Sequence, residues 1–307
     1  MKTGIFFHPS FLLHDTGAHH PENSFRLKKI MEVLKGSFFD QLEFLDCPFV
    51  TTKQLKRVHK KSYIEKIINY FPLNETIKLD NDTIISPRSL EACMRAPGAV
   101  ISAIEMVMKK NIKNAFCAVR PPGHHAEFSS GMGFCIFNNI AIGAAYAREE
   151  LFVEKIAIID IDVHHGNGTE DWVRGKDNFL FFSLHQSPLY PGTGLESNNL
   201  QGINNYTLLP GSNSLLFREV VNKKLIPLIE KFEPELILIS MGFDGHKLDK
   251  LAEINLSSLD YGWVTEEICK LAKKCCEGRI VSVLEGGYNL DALAESGANH
   301  VASLMKF

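Results

Sequence analysis

A strongly apolar segment of the chain ends abruptly in acidic residues and histidines. Residues 156–159 read Ile-Ala-Ile-Ile, and Asp160, Asp162 and His164 follow directly. Because side chains alternate along a strand, these three polar residues share one face if the strand continues through them. Carboxylates are costly in a buried strand unless a cation or hydrogen-bond donors receive them. The segment therefore predicts a buried strand whose carboxyl end holds a divalent transition metal, and zinc suits these ligand types.

Similar apolar runs alternate with helical patterns along most of the chain. The runs lack polar alternation, which favours strands of a parallel sheet that is covered on both faces. We predict strands near residues 3–7, 115–119, 155–161, 179–184, 236–241 and 280–284. We predict helices near residues 22–35, 61–71, 88–109, 137–149, 213–231, 257–274 and 289–305. This order predicts an α/β fold with a doubly wound, mostly parallel sheet, in a single domain over residues 1–307.

The composition argues against several classes of protein. The 307 residues are 45% hydrophobic and 22% charged, and the net charge of −3 gives no overall attraction to nucleic acid or to an anionic membrane. No apolar run approaches the ~20 residues of a membrane span, and the amino-terminal apolar run is too short for a signal peptide. Seven cysteines without a Cys-x-x-Cys pair indicate a reducing compartment. We expect a cytoplasmic, soluble protein that binds neither nucleic acid nor membrane.

Polar residues follow four of the predicted strands. In a doubly wound sheet, ligands bind at the carboxyl ends of the strands, so these four segments are expected to meet at one edge. The segments are residues 120–125, 162–164, 242–246 and 285–289. Their histidines, aspartates, glycines and tyrosine predict an active site at this edge.

Asp162, His164 and Asp244 are the candidate zinc ligands. Three protein ligands leave one coordination position open, as a catalytic zinc needs. Two carboxylates bring the charge of such a site close to neutral, which suits a metal that polarises a substrate carbonyl and a water together. Taken alone, the Gly-Phe-Asp-Gly sequence around Asp244 is equally typical of a turn, but it follows an apolar strand.

Two histidines and a tyrosine supply candidate groups for proton transfer and hydrogen bonding. His124 and His125 follow a stiff Pro-Pro-Gly segment, and imidazole titrates near neutral pH. A catalytic imidazole needs a partner on its other ring nitrogen, and Asp160 and Asn167 are the candidates. Tyr288 follows two glycines and is a candidate donor to an oxyanion opposite the metal. With a metal, these groups predict hydrolysis of an acyl bond by water, since we find no serine or cysteine nucleophile motif.

Two further segments predict a narrow tunnel for a linear alkyl chain. Residues 131–135 read Gly-Met-Gly-Phe-Cys, and these glycines allow the backbone to approach a ligand closely. Phe134 would form one aromatic wall. Tyr190, in the Leu-Tyr-Pro-Gly sequence of residues 189–192, would form the other.

Taken together, these motifs resemble the zinc-dependent histone deacetylase family, which includes bacterial acetylpolyamine amidohydrolases. The resemblance runs in order over essentially the whole chain. The matching segments are residues 120–125, 133–139, 160–169, 183–185, 191–194, 242–244 and 284–290, together with His20, Pro21, Glu22 and Arg26 near the amino terminus.

The resemblance implies an arginase/deacetylase-like fold and a role for each candidate residue. The three zinc ligands are those named above. His125 would be the general base, paired with Asn167, a residue typical of class II members. His124 would be its electrostatic or acid partner, paired with Asp160. Tyr288 would donate a hydrogen bond to the transition state.

The resemblance also implies a substrate tunnel and a second ion. The Gly133 carbonyl would accept the substrate amide N–H, and Phe134 and Tyr190 would line the tunnel. The family usually has Asp-Pro-Leu-Gly at the tunnel rim, where residues 249–252 here read Asp-Lys-Leu-Ala, so the rim around Leu251 leaves substrate choice open. A structural potassium ion is implied near Asp160, Asp162, His164, Ser183 and Leu184.

We therefore predict a mononuclear zinc amidohydrolase that removes acetyl or another short acyl group from an amine. The partner is an acylated amine, either acetyl-lysine in a protein or a small molecule. An acetylpolyamine-specific enzyme is an alternative, for which Asp80, Asp82 and Asp249 would be acidic groups at the tunnel mouth. A catalytically idle acyl-ligand-binding protein is disfavoured because all the expected catalytic side chains are present. A ureohydrolase-like dimetal enzyme is disfavoured because Gly166 stands where a second metal needs a carboxylate.

Overall fold

Eight parallel strands form the central sheet of the fold. The computed structural model describes residues 1–69, 75–195 and 202–307. Its strands are β1 (Thr3–Phe6), β2 (Glu43–Leu45), β3 (Ile77–Lys78), β4 (Ile84–Ile85), β5 (Asn114–Cys117), β6 (Ile156–Asp160), β7 (Phe179–Gln186), β8 (Ile203–Leu208), β9 (Leu236–Met241) and β10 (Ile280–Leu284). The order in the large sheet is β2-β1-β5-β10-β9-β6-β7-β8, and every neighbouring pair is parallel. β3 and β4 form a separate antiparallel pair.

Helices connect the strands and cover the sheet. They are α1 (Phe25–Leu34), α2 (Thr52–Leu55), α3 (Lys61–Asn69), α4 (Ser89–Met108), α5 (Asn139–Glu150), α6 (Asn167–Val173), α7 (Ser214–Val220), α8 (Ile226–Phe232), α9 (Ser258–Cys275) and α10 (Leu290–Lys306). Short 3₁₀ segments cover Pro9–Leu12 and Ser37–Phe39. Every residue of β5, β6, β7, β9 and β10 is buried, so both faces of the sheet are covered. This confirms the predicted doubly wound α/β fold.

The differences from the predicted elements have local causes. The six predicted strands are present, but the edge strands β2 and β8 were not expected. β8 carries Asn204 and Asn205, which interrupt the apolar run that identifies a central strand. The helix predicted over 213–231 is divided by a π-helical segment at Val221–Leu225, just before Pro227. Proline lacks the N–H that a regular helix needs and crowds the preceding turn. Residues 70 and 71 of the predicted third helix (61–71) lie outside the described residues.

Two observations bear on the environment of the chain. All seven cysteines have free thiols. Within the described ranges, none of the helices has the length and apolar character needed to cross a bilayer.

Candidate active site

Four strands that are neighbours in the sheet carry the chemically active segments at their carboxyl ends. β5, β10, β9 and β6 lie side by side. β5 leads into residues 120–125, β10 into 285–289, β9 into 242–246 and β6 into 162–164. The convergence predicted from the sequence is therefore present, and it occurs at the centre of the sheet.

Asp162, His164 and Asp244 form a compact buried cluster. Each offers one ligand atom, and these atoms all lie within 4.8 Å of one another. His164 Nδ1 lies 3.0 Å from Asp162 Oδ1 and 3.2 Å from Asp244 Oδ2. Asp244 Oδ2 is buried without a hydrogen-bond partner, whereas Asp244 Oδ1 accepts from the backbone N–H of Val163 at 3.1 Å. A buried carboxylate oxygen without a donor, beside a second carboxylate and an imidazole, fits a divalent cation.

The electrostatics of the cluster favour positive charge. Burial and the neighbouring Asp162 raise the pKa of Asp244 to about 6. Burial alone would lower the pKa of His164, but the hydrogen bond with Asp162 and the attraction of the Asp162 and Asp244 carboxylates raise it to about 10. The cluster therefore attracts a cation strongly.

Gly286 allows the backbone after β10 to pass close to these carboxylates. Its N–H donates to Asp162 Oδ2 at 2.8 Å. A Cβ atom at this position would lie 2.0 Å from Asp244 Oδ2 and 2.6 Å from Asp162 Oδ2. Only glycine leaves room for both oxygens to face the same point.

His125 is held as a neutral base. Its Nδ1 lies 2.8 Å from Asn167 Oδ1, and Asn167 Nδ2 donates to Glu127 Oε1 at 2.8 Å. Because Glu127 orients the amide, the oxygen of Asn167 faces the ring, and His125 must donate from Nδ1. Burial, together with the nearby His124 and His164, lowers the pKa of His125 well below its usual value. Its Nε2 lone pair therefore remains available to accept a proton.

The surroundings of His124 favour its protonated form. Its ring centroid lies 4.0 Å from that of His125, and its Nδ1 lies 2.9 Å from Asp160 Oδ2. Burial alone would lower the pKa of His124, but the carboxylates of Asp160 and Asp162 raise it to about 10. The two adjacent histidines thus differ in charge because their partners differ.

Tyr288 presents a protonated phenol to the same region. Burial and the Asp244 carboxylate raise its pKa well above the usual value, so the hydroxyl remains a donor. Arg26 supports the turn before it by donating to the carbonyls of Gly287 at 2.6 Å and Glu285 at 2.5 Å. The Arg26 guanidinium carbon also lies 5.0 Å from the Tyr288 ring centroid.

A cavity of about 220 Å³ leads to these groups. The four predicted tunnel residues, Gly133, Phe134, Tyr190 and Leu251, all line it. Its other lining residues are Asp82, His125, His164, Leu189 and Tyr288. Gly133 has φ +54°, and a Cβ atom there would lie 2.5 Å from His125 Cδ2. Tyr190 is 40% exposed.

The residues predicted to hold potassium are also buried close together. Asp160 and Ser183 are paired across β6 and β7. Asp162, His164 and Leu184 follow along the same two chain segments.

The acidic groups predicted at the tunnel mouth divide into different environments. Asp82 lines the cavity, and Asp80 accepts from the backbone N–H groups of Asp82 at 3.0 Å and Thr83 at 2.6 Å. Asp249 is buried, and its carboxylate accepts from backbone N–H groups. It therefore does not act as an exposed acid at the mouth.

Sequence reasoning gave no role to Glu285, which supports the histidine pair. Its Oε2 accepts from the backbone N–H groups of Gly123 at 2.7 Å and His124 at 3.2 Å. The available signal was a carboxylate directly after an apolar strand, the same signal that identified Asp160.

Comparisons with known proteins identify the family of the chain. The chain matches the family model for the histone deacetylase domain over residues 20–304. It is 35% identical to a probable deacetylase of Archaeoglobus fulgidus, over 100% of this chain and 87% of that protein. It is 33% identical to type-2 histone deacetylase 2 of Dictyostelium discoideum over 94% of this chain, but it spans only 20% of that longer protein. The crystal structure of the HDA15 HD domain matches with a TM-score of 0.92 and 30% identity, covering 99% of this chain and 88% of that one.

The chain therefore belongs to the histone deacetylase family, which confirms the resemblance seen in the sequence. Within that family it is a hydrolytic enzyme of the deacetylase type.

Proposed function

We propose that the chain is a zinc-dependent deacetylase that hydrolyses the amide bond between an acetyl or other short acyl group and an amine. The observation that carries the proposal is the convergence of three ligand atoms, a neutral imidazole and a protonated phenol at one cavity. A histidine paired with a neutral amide beside a histidine paired with a carboxylate suits proton transfer, which an idle ligand-binding protein does not need.

Asp162, His164 and Asp244 would hold the zinc. The orphaned oxygen of Asp244 and the mixed oxygen and nitrogen donors support this choice. Zinc supplies Lewis acidity, which polarises a carbonyl oxygen and lowers the pKa of water.

The protein's own residues would move the protons and stabilise the developing charge. His125 Nε2 accepts the proton from the attacking water, while Asn167 keeps the ring oriented. The Tyr288 hydroxyl donates a hydrogen bond to the carbonyl oxygen as it becomes an oxyanion. The histidine pair then returns a proton to the amine nitrogen as the amide bond breaks, and the positive charge of His124 favours this protonation.

The cavity would position the substrate. Phe134 and Tyr190 would contact the alkyl chain on two sides, and the Gly133 carbonyl would accept the amide N–H. Leu251 would contact the part of the substrate at the rim. This arrangement suits the side chain of an acetyl-lysine or a small acylated amine.

Asp82 favours a second candidate, an acetylpolyamine. It lines the cavity and forms no ion pair with any Lys, Arg or His among the described residues. A carboxylate without a cation partner at a narrow entrance attracts a substrate ammonium group. A polyamine carries such a group beyond its acylated nitrogen.

We also propose a structural potassium ion bound by Asp160, Asp162, His164, Ser183 and Leu184, partly through backbone oxygens. Such an ion would hold in place the segment that carries Asp162 and His164. We further propose a reducing compartment, such as the cytoplasm, for which the seven free thiols are the support.

Metal content and turnover together test the proposed function. Elemental analysis is expected to find one zinc per chain, and chelation is expected to remove both zinc and deacetylation of an acetyl-lysine peptide. Asp244→Asn should lose zinc. His246→Gln is the matched control, because His246 is also buried and lies close in sequence but bonds to Leu248 and Ser258.

Three results would contradict the proposal. Two transition metals per chain would favour a dimetal enzyme. Full zinc content in the Asp244→Asn variant would reject the ligand assignment. Full turnover after complete removal of the metal would reject metal-dependent hydrolysis.

A further inference from the structure

Asp249 forms hydrogen bonds to two segments of the site, the turn that carries Tyr288 and the cavity rim at Leu251. Its Oδ2 accepts from the backbone N–H groups of Tyr288 at 2.6 Å and Asn289 at 3.0 Å. Its Oδ1 accepts from the backbone N–H of Leu251 at 3.1 Å. One buried carboxylate therefore holds both the turn that carries Tyr288 and the rim residue Leu251.

The turn that carries Tyr288 needs such a constraint. It contains two consecutive glycines, and Gly287 has φ +116°. Glycine has more backbone freedom than any other residue, so this turn is not rigid by its sequence. A hydrogen-bond donor to an oxyanion must nevertheless be fixed in advance, and a displacement of ~1 Å lowers the rate by about 100-fold.

The turn that carries Tyr288 is also anchored to α10. The side chain of Asn289 accepts from Ala292 N at 3.0 Å at the start of α10, and its Nδ2 donates to the carbonyl of Leu248 at 3.1 Å. Arg26 also holds the turn by donating to the carbonyl of Gly287. Asp249 is thus the side chain that ties the rim segment to the backbone N–H of Tyr288 itself.

We propose that Asp249 is a positioning residue that fixes Tyr288 for the reaction and couples its position to Leu251. This inference rests on the proposed function, in which Tyr288 donates to the oxyanion and Leu251 contacts the substrate. A substrate that contacts Leu251 then affects the position of Tyr288, because the Asp249 carboxylate accepts from the backbone N–H groups of both residues.

Two substitutions of Asp249 separate its hydrogen bonds to the turn at Tyr288 from its hydrogen bond to Leu251. Asp249→Ala leaves all three backbone N–H groups without their acceptor, and kcat is expected to fall about tenfold or more. Asp249→Asn keeps one acceptor oxygen, which the two N–H groups of the turn favour, and its amide N–H₂ then faces the N–H of Leu251. This variant is expected to restore kcat to within about threefold of the native value and to raise KM about threefold or more.

A double-mutant cycle distinguishes positioning from a general structural role. If Asp249 acts through Tyr288, adding D249A to Y288F should change kcat by less than about twofold. Asp260→Ala is the matched control, because Asp260 is a buried carboxylate that accepts from the backbone N–H of Ser257 at 2.9 Å at the start of α9. D260A is expected to keep kcat within about twofold of native when assayed below its melting temperature.

The outcomes are distinct. Equal loss of kcat from D249A in the native and Y288F proteins, or native kcat in D249A, overturns the inference. Native turnover in Y288F alone overturns the proposed role of Tyr288, and the inference with it. If D249A does not fold, D249N remains decisive, since an unchanged KM overturns the coupling to Leu251.

Discussion

The imidazole of His125 lies 2.8 Å from the side-chain oxygen of Asn167, a neutral partner, whereas its neighbour His124 lies 2.9 Å from the carboxylate of Asp160. This difference in partners gives two adjacent histidines opposite tendencies to hold a proton.

Asn167→Asp should raise the pKa of His125. A carboxylate favours the imidazolium, so the base becomes protonated at a higher pH than in the native protein. Activity should therefore be lost at a higher pH as the solution is acidified, and the acid limb of the kcat/KM profile between pH 5 and 9 measures this. The new carboxylate also faces the carboxylate of Glu127, and their repulsion can disturb the site. Zinc content should therefore be measured in the same variant, to show that the site is intact. An unchanged acid limb would reject His125 as the base.

Tyr288→Phe should lower kcat by about 10² to 10³, because removal of one donor to an oxyanion has this effect. Zinc content should not change, since the hydroxyl is not among the ligand atoms of the cluster. Turnover of an acetyl-lysine peptide measures the effect. Tyr206→Phe on the edge strand β8 is the control and should retain activity. Native turnover in Y288F would show that another group stabilises the oxyanion.

Gly286→Ala should disrupt the metal site. The added Cβ overlaps with Asp244 Oδ2 at 2.0 Å, so one of the carboxylates must move. Zinc affinity, measured by competition with a chelator, is expected to fall. Gly297→Ala in α10 is the control, because its Cβ would meet atoms only at 3.7 Å and beyond. That variant should keep its zinc and gain roughly 0.5–1 kcal/mol of stability. Equal zinc affinity in both variants would contradict the assigned packing.

His300 should make stability depend on pH. It is fully buried between Thr265 and Ser282, at 2.7 Å and 2.9 Å, and burial lowers its pKa from 6.5 to about 3. The unfolded chain therefore binds a proton below pH 6.5 that the folded chain does not, so stability is full above this pH and falls towards pH 3. Between pH 7.5 and 5 this residue alone should lower the free energy of unfolding by ~2 kcal/mol.

Denaturant unfolding of the native protein and of His300→Gln measures this contribution. Other buried histidines add to the total, so the comparison uses the difference between the two proteins at each pH. The loss on acidification should be smaller in the variant. Identical pH dependence would mean that His300 is not buried in its neutral form.

Asp82→Asn should change substrate preference without removing the chemistry. The carboxylate attracts a cationic substrate, so kcat/KM for an acetylated diamine should fall more than for an uncharged N-alkylacetamide of equal length. The effect should weaken at high salt. An equal loss for both substrates would argue against Asp82 as a recognition group and against the polyamine candidate.

The sequence predicted the central strands of the sheet better than its edge strands. The apolar run before Asp160 identified β6, and the same pattern identified β5, β9 and β10, because strands buried on both faces are mostly apolar. Asp162, His164 and Asp244 were then found by their position after such strands. β8 was missed because its asparagines obscure the apolar signal at the edge of the sheet.

Sequence pattern could not predict side-chain orientation within loops. Asp249 was a candidate acid at the tunnel mouth under the acetylpolyamine alternative, but its carboxylate accepts from backbone N–H groups of a segment that is distant in sequence. Such pairings depend on how two loops meet, and neither loop carries the information alone. The same is true of the contact between Glu285 and the backbone of His124.

The candidate zinc ligands follow β6 and β9, which are neighbours in the sheet although β7, β8 and the segment from α7 to α8 separate them along the chain. No short fragment can bring the three side chains together, so ion capture should occur only after these two strands have docked. The time at which zinc becomes bound during refolding from denaturant would then report when the centre of the sheet has assembled.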